Sequence, residues 1–186
     1  MVFRDRSSAN VSPGSSSQDA HIQSGIRYRL MQNIASIADA VIVQTDEGNA
    51  AFRIESTRRE MMDMLVLRDM EGNVRCLLPD PQSGPAATDI LGGDGRPLAR
   101  VSRTQISAVR DRFEVDILPG DFWIVIGDVG SREFTLDSPN GQVAEVSRRW
   151  FLLPDTFGVE VVPGQDDALV LAVAATIDRL AHDFTH

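Results

Sequence analysis

From Ile26 onward, apolar and polar residues alternate in short runs punctuated by glycine turns. Four runs begin with an aspartate: Asp39-Ala40-Val41-Ile42-Val43, Asp63-Met64-Leu65-Val66-Leu67, Asp111-Arg112-Phe113-Glu114-Val115 and Asp155-Thr156-Phe157-Gly158-Val159. Apolar side chains two residues apart share one face of a strand, so each run predicts a strand with one face turned inward. Turn signals fall at Gly48, Gly72, Gly95, Gly120, Gly141 and Gly164, at intervals of 24, 23, 25, 21 and 23 residues. Glycine supplies the positive φ that tight hairpins demand, and a period in the twenties indicates one repeated supersecondary unit. A second alternating run follows several turns, as in Ala51-Phe52-Arg53-Ile54, Leu98-Ala99-Arg100-Val101 and Val143-Ala144-Glu145-Val146. Each period therefore holds a strand, a glycine turn, a second strand and an aspartate-marked corner, and six turns predict about twelve antiparallel strands. Pro79, Pro81, Gly84 and Pro85 interrupt one unit and reduce it to an edge or a loop.

The pattern changes after Asp166-Asp167. Eight apolar residues, Ala168 to Ala175, precede Ile177 and Leu180, a run too long for these short strands. The preceding Pro163-Gly164 and the two carboxylates at its start mark a helix N-terminus, over about residues 166–182. A helix apolar on all sides must be buried on all sides. Wide barrels need a filler that eight-stranded ones do not. The expected architecture is therefore mainly β: a twelve-stranded antiparallel barrel closed around its own C-terminal helix, with Ala172, Ala174 and Ala175 letting the wall come close.

Residues 1–24 are rich in serine and poor in apolar groups, and are expected to form a disordered tail before a domain at 25–186. The tail's two arginines balance its two aspartates, so the whole net charge of −9 sits on the domain. That charge opposes wholesale nucleic-acid binding. All 18 basic residues are arginine, and the absence of lysine excludes a Walker phosphate loop, a protein-kinase active site and Schiff-base chemistry. One cysteine, Cys76, fits a reducing, cytoplasmic setting and reads as a strand residue; arginine and alanine usage suggests a bacterial genome. No apolar stretch is long enough for a transmembrane helix, and no apolar run follows Arg4 and Arg6 to make a secretory signal.

Catalytic constellations are absent from the sequence. His21, His182 and His186 lie near the termini, no Gly-x-Ser-x-Gly elbow occurs, and one cysteine with these histidines does not make a zinc site. Asp46-Glu47-Gly48-Asn49 lacks the ligand spacing of a calcium loop, and Gly93-Asp94-Gly95 lacks the third glycine of a dinucleotide fingerprint. No cofactor, no metal and no catalytic residue is therefore assigned. The recurrent aspartates suit a structural task at corners, such as accepting hydrogen bonds from turn amides. The arginines recur at comparable places in successive units: Arg58-Arg59, Arg100 with Arg103, Arg110 with Arg112, and Arg148-Arg149. Their planar forks match phosphate oxygens, so Arg58, Arg59, Arg103, Arg148 and Arg149 are the candidate ligand-binding residues; the opposing reading pairs them with the surplus acids. Trp123 and Trp150 are candidate anchors of an oligomeric interface.

The segment Arg27-Tyr28-Arg29-Leu30-Met31-Gln32, the aspartate-marked strands, Val146-Ser147-Arg148-Arg149-Trp150 and the C-terminal stretch from Phe157 to Arg179 resemble the LURP-one-related family. The resemblance spans about residues 26–182. It implies the fold of the tubby C-terminal domain and the phospholipid scramblases, a twelve-stranded barrel around a buried helix. It also implies a non-enzymatic binding or adaptor module that engages anionic membrane lipid headgroups or a protein partner, cytoplasmic and peripheral to the membrane. The chain departs from the family's usual pattern in having no lysine and in its Pro/Gly interruption at 79–85. Two other classes stay open at this point: a small enzyme working through surface carboxylates and arginines, and a purely structural scaffold.

Overall fold

The computed structural model describes residues 25–31, 40–59, 62–80, 87–105, 111–151 and 155–182. The expected tail at 1–24 lies outside the described residues. Twelve strands follow in order: β1 (Ile26–Met31), β2 (Val41–Thr45), β3 (Ala50–Arg59), β4 (Met62–Asp69), β5 (Val74–Pro79), β6 (Ala87–Gly92), β7 (Pro97–Gln105), β8 (Asp111–Ile117), β9 (Asp121–Asp128), β10 (Glu133–Ser138), β11 (Gly141–Ser147) and β12 (Thr156–Val161). One helix, α1 (Asp167–His182), ends the described chain. Each strand pairs antiparallel with its sequence neighbours, and β1 closes on β12 over six residues from Ile26↔Val161 to Met31↔Thr156. Closure leaves no sheet edge to blunt.

All six expected turn glycines have positive φ, between 82° and 147°. Because each period contains two antiparallel strands, all six turns fall at one end of the barrel. Side chains complete several of them. Asp69 accepts from the Asn73 amide at 2.8 Å, Asp94 from the Arg96 amide at 3.0 Å, and Ser138 from the Asn140 amide at 3.2 Å. The Asn73 side-chain hydrogen bond also holds the Asp69 carboxyl below its ordinary pKa. Of the aspartates expected to serve corner amides, Asp39 lies outside the described residues and Asp63, Asp111 and Asp155 sit at the opposite end, where Asp111 instead accepts from the Arg103 guanidinium at 2.8 Å. Asp155 takes the left-handed conformation (φ 56°) ahead of β12, a geometry Asp tolerates better than most residues. Amide capping at this end is done by other residues: Asp128 accepts from the Ser131 amide at 2.9 Å, and Glu133 from the Arg148 amide at 3.2 Å.

The interrupted unit forms both of its strands. Pro79 is the last residue of β5, and the β5–β6 ladder is reduced to two pairs, Cys76↔Gly92 and Leu77↔Leu91. In a closed wall neither strand is an edge; residues 81–86 between them lie outside the described residues.

Every strand contributes apolar side chains to one core that includes α1. All ten residues from Leu171 to Leu180 are buried, and the helix touches β5, β6, β7, β11 and β12 on different sides of the wall. Asp166 caps its start, accepting from the amides of Ala168 (3.0 Å) and Leu169 (3.3 Å). Asp167 accepts from the Tyr28 hydroxyl at 2.6 Å, which ties the helix entry to β1. Two buried charges hold the other end. Asp178 pairs with Arg132 at 2.7 Å, both side chains 5% exposed. Arg179 donates to the Leu78 and Pro79 carbonyls and to the Asp80 carboxylate. The two residues are adjacent in sequence, so they point to different walls and fix both the rotation and the depth of the helix. Arg179 also places a cation near the helix C-terminus, where the dipole favours it.

Candidate functional site

The barrel has two chemically different ends. The glycine-turn end carries Asp46, Glu47, Asp69, Glu71, Asp94, Asp121, Asp166 and Asp167 against Arg27, Arg68, Arg75 and Arg96. The strand topology places Arg58, Arg59, Arg103, Arg112, Arg132, Arg148, Arg149 and Arg179 at or near the opposite end, nearly balanced there by Asp63, Asp80, Asp111, Asp128, Glu133, Asp155 and Asp178. The acidic surplus is therefore concentrated at the glycine turns. The recurrence of arginines seen in the sequence corresponds to one barrel end, because positions one period apart lie on the same side of the molecule.

Only some candidate arginines share a neighbourhood. Around the wall the order β3, β2, β1, β12, β11 puts Arg58 and Arg59 on one flank of β1–β2, and Arg148 and Arg149 on the other. Arg58 and Arg59 stand four and five residues beyond Ile54, the β3 partner of Val41 at the start of β2, so this hairpin overshoots its neighbour. Arg148 and Arg149 are exposed, and Arg149 lies 3.4 Å from Glu133. Arg103 is elsewhere: it lies on β7, across the barrel, with its side chain 9% exposed, paired to Asp111 and stacked 5.6 Å over the Phe113 ring. Arg100 and Arg112 are ion-paired with Asp89 (3.0 Å) and Glu114 (3.6 Å), so the surplus acids do occupy part of the arginine set.

Between the two flanks lies a cleft that sequence reasoning did not find. β1 and β2 pair only at Tyr28↔Thr45 and Arg29↔Gln44, and beyond these pairs they diverge. The opening is a cleft of about 490 Å³ lined by Arg29, Leu30, Met31, Ala40, Val41, Ile42, Gln44 and Thr156. Its walls are largely aliphatic, and Met31 and Ile42 are 45% and 41% exposed. The polar groups are few and specific. Arg29 donates to the Gln44 side-chain carbonyl and lies 6.0 Å from the Phe151 ring; among the described residues no carboxylate pairs with it. The next arginine on the same strand face, Arg27, differs: it is held by Glu160 at 2.6 Å and stacks 4.4 Å over Trp150. These two stacking contacts bind the segment bearing Arg148 and Arg149 to β1. Trp123 is in the core at 4% exposure, and Trp150 is covered on one face by Arg27, with Gly158 beneath it, where a Cβ would fall 2.6 Å from its ring. Core burial removes Trp123 as an interface anchor, while Trp150 is only partly buried.

The remaining candidates are quiet. Cys76 is buried, and desolvation pushes its thiol up to about 12, far from a nucleophilic thiolate. Among the described residues no group of three His, Cys, Asp or Glu is placed to hold a metal ion, and no helix is long and apolar enough to cross a membrane.

A closed twelve-stranded barrel filled by its own helix, with an amphiphilic cleft at the arginine-bearing end, defines a tubby-like barrel domain. The LURP-one-related family profile matches residues 26–178, and the chain belongs to that family. A crystal structure of an Arabidopsis thaliana protein is similar in fold, with a TM-score of 0.63 and 18% identity over 85% of this chain and 92% of that one. No functionally curated protein matches the chain.

Proposed function

We propose that the domain is a non-enzymatic binding module that takes an anionic amphiphile, a phospholipid by preference, in the cleft between β1 and β2. The observation that carries this reading is the chemistry of the cleft: aliphatic walls with one half-buried guanidinium, Arg29, that has no acid beside it among the described residues. A volume of about 490 Å³ falls in the range of small-ligand sites. Apolar walls suit part of an acyl chain, while an arginine fork suits a phosphodiester better than a diffuse ammonium would. Arg148 and Arg149 on one flank, and Arg58 and Arg59 on the other, would add cations toward a membrane surface while the acidic glycine-turn end faces away. Membrane association of this kind is peripheral.

The test is co-sedimentation with vesicles of neutral phosphatidylcholine, with and without phosphoinositide, at low and moderate salt. The wild-type chain should sediment with the anionic vesicles, more at low salt, and Arg29→Gln should lose most of the bound fraction while keeping its unfolding midpoint. Soluble inositol phosphate should compete weakly, since it lacks the acyl chain. Absence of binding at both salts, or an Arg29→Gln chain that binds like wild type, would overturn the proposal.

A further inference from the structure

A second surface, remote from the cleft, has the opposite chemistry. On β9 the inward residues Trp123 and Val125 belong to the core, so Phe122, Ile124 and Ile126 form the outward face. Phe122 is 47% and Ile126 39% exposed, and Leu118 in the preceding turn is 52% exposed. Three apolar side chains in line on an outer strand face are what a solvated wall avoids. The banks are acidic. On β8, Asp116 stands opposite Phe122, Glu114 opposite Ile124 and Arg112 opposite Ile126, with Arg112 3.6 Å from Glu114, so the free acid of this bank is Asp116; on β10, Asp137 stands opposite Ile124; Glu145 lies one strand further, beyond Thr135. Arg100, which stands opposite Asp116, is committed to Asp89 instead. Among the described residues no arginine pairs with Asp116, Asp137 or Glu145.

We infer that this face docks a cationic amphipathic segment of a partner protein, laid along β9 with its apolar side on Phe122, Ile124 and Ile126 and its basic flanks against the two acidic banks. The occupant follows from charge. An anionic membrane would meet the carboxylates of Asp116, Asp137 and Glu145, and a second copy of this chain would bring its own net charge of −9. A basic segment meets complementary charge on both sides of an apolar strip. Strand addition is excluded because the closed wall offers no edge, so recognition must run through side chains. Three outward positions along a strand span roughly 13 Å, which an amphipathic helix of about three turns covers. The surface is independent of the cleft between β1 and β2.

The probe is a fluorescently labelled Leu/Lys amphipathic helix of about 18 residues, with a scrambled peptide of equal composition, titrated against the full chain by anisotropy. The helix should bind, more weakly as salt rises, and the scrambled peptide should bind at least about tenfold more weakly. Phe122→Ser with Ile126→Ser, and separately Asp116→Asn with Asp137→Asn, should each weaken binding about tenfold or more. Both pairs are surface changes, and unchanged unfolding midpoints check that the barrel is intact. Equal binding of helix and scrambled peptide, no binding of either, or full affinity in the Phe122/Ile126 variant would overturn the inference. So would loss of binding to anionic vesicles in that same variant, which would make the face a membrane contact. Retention of peptide binding by Arg29→Gln is expected and separates this surface from the cleft.

Discussion

Replacing Leu171 by alanine tests whether the helix is enclosed by a wall that holds its shape. Leu171 is 1% exposed and lies within the fully buried stretch of α1. Removing its outer carbons forfeits about 2 kcal/mol of transfer free energy, and a residual void of about 80 Å³ adds roughly another 2 kcal/mol at about 24 cal/mol per Å³. In most cores part of that void closes as neighbours relax. Here every strand is hydrogen-bonded on both sides, so the wall has little freedom to move inward, and the loss should lie near 4 kcal/mol, toward the upper part of the range for such changes. A domain stable by about 5–15 kcal/mol would keep its fold but with its urea midpoint sharply lowered. The reference is Met70→Ala, at a residue 48% exposed in a turn, which should change stability by less than about 0.5 kcal/mol. Equilibrium urea unfolding followed by circular dichroism measures both. A loss below about 2 kcal/mol with unchanged denaturant slope would refute the reasoning, since the void would then have closed or the helix would not be enclosed.

Two other measurements address the interior. Asp178→Ala removes the carboxylate from Arg132 in a site 5% exposed and should cost about 3–5 kcal/mol, whereas Asp89→Ala at the exposed Arg100 pair should cost about 1 kcal/mol or less; similar losses for both would mean the interior pair does not pin the helix. Cys76 should resist thiol reagents at pH 8 until denaturant is added, because burial raises its pKa from near 9 to about 12. The unfolded thiol then ionises first, so stability is full below about pH 9 and declines as pH rises toward 12; Tyr28, raised by burial and by its hydrogen bond to Asp167, acts in the same direction. Comparing urea midpoints at pH 7 and about pH 10.5 checks the sign, and an equal or higher midpoint in alkali would contradict it.

Local rules made the wall legible. Alternation gave strand faces, the six glycines marked the turns, and the Asp166-Asp167 entry with its apolar run announced the helix, since each depends on residues close in sequence. The Pro/Gly interruption was overweighted: a short two-pair ladder survives because closure supplies each strand with a second neighbour. The site was less legible. The arginines were visible, but Arg103 is spent on Asp111, and Arg29 escaped notice because its role depends on β1 and β2 parting beyond Gln44. In the sequence Asp178 and Arg179 read only as part of the helical stretch, and the partner of Asp178, Arg132, lies 46 residues earlier.

By itself the sequence determined the number of strands, the helix that fills them and the grouping of arginines at one end, because periodicity and topology follow from neighbours along the chain. Tertiary structure alone decided which arginines are free to meet a ligand, where the wall opens into a cleft, and that the outward face of β9 lies between acidic banks. Those properties depend on register between strands far apart in sequence, and on which charges desolvation and pairing have already consumed.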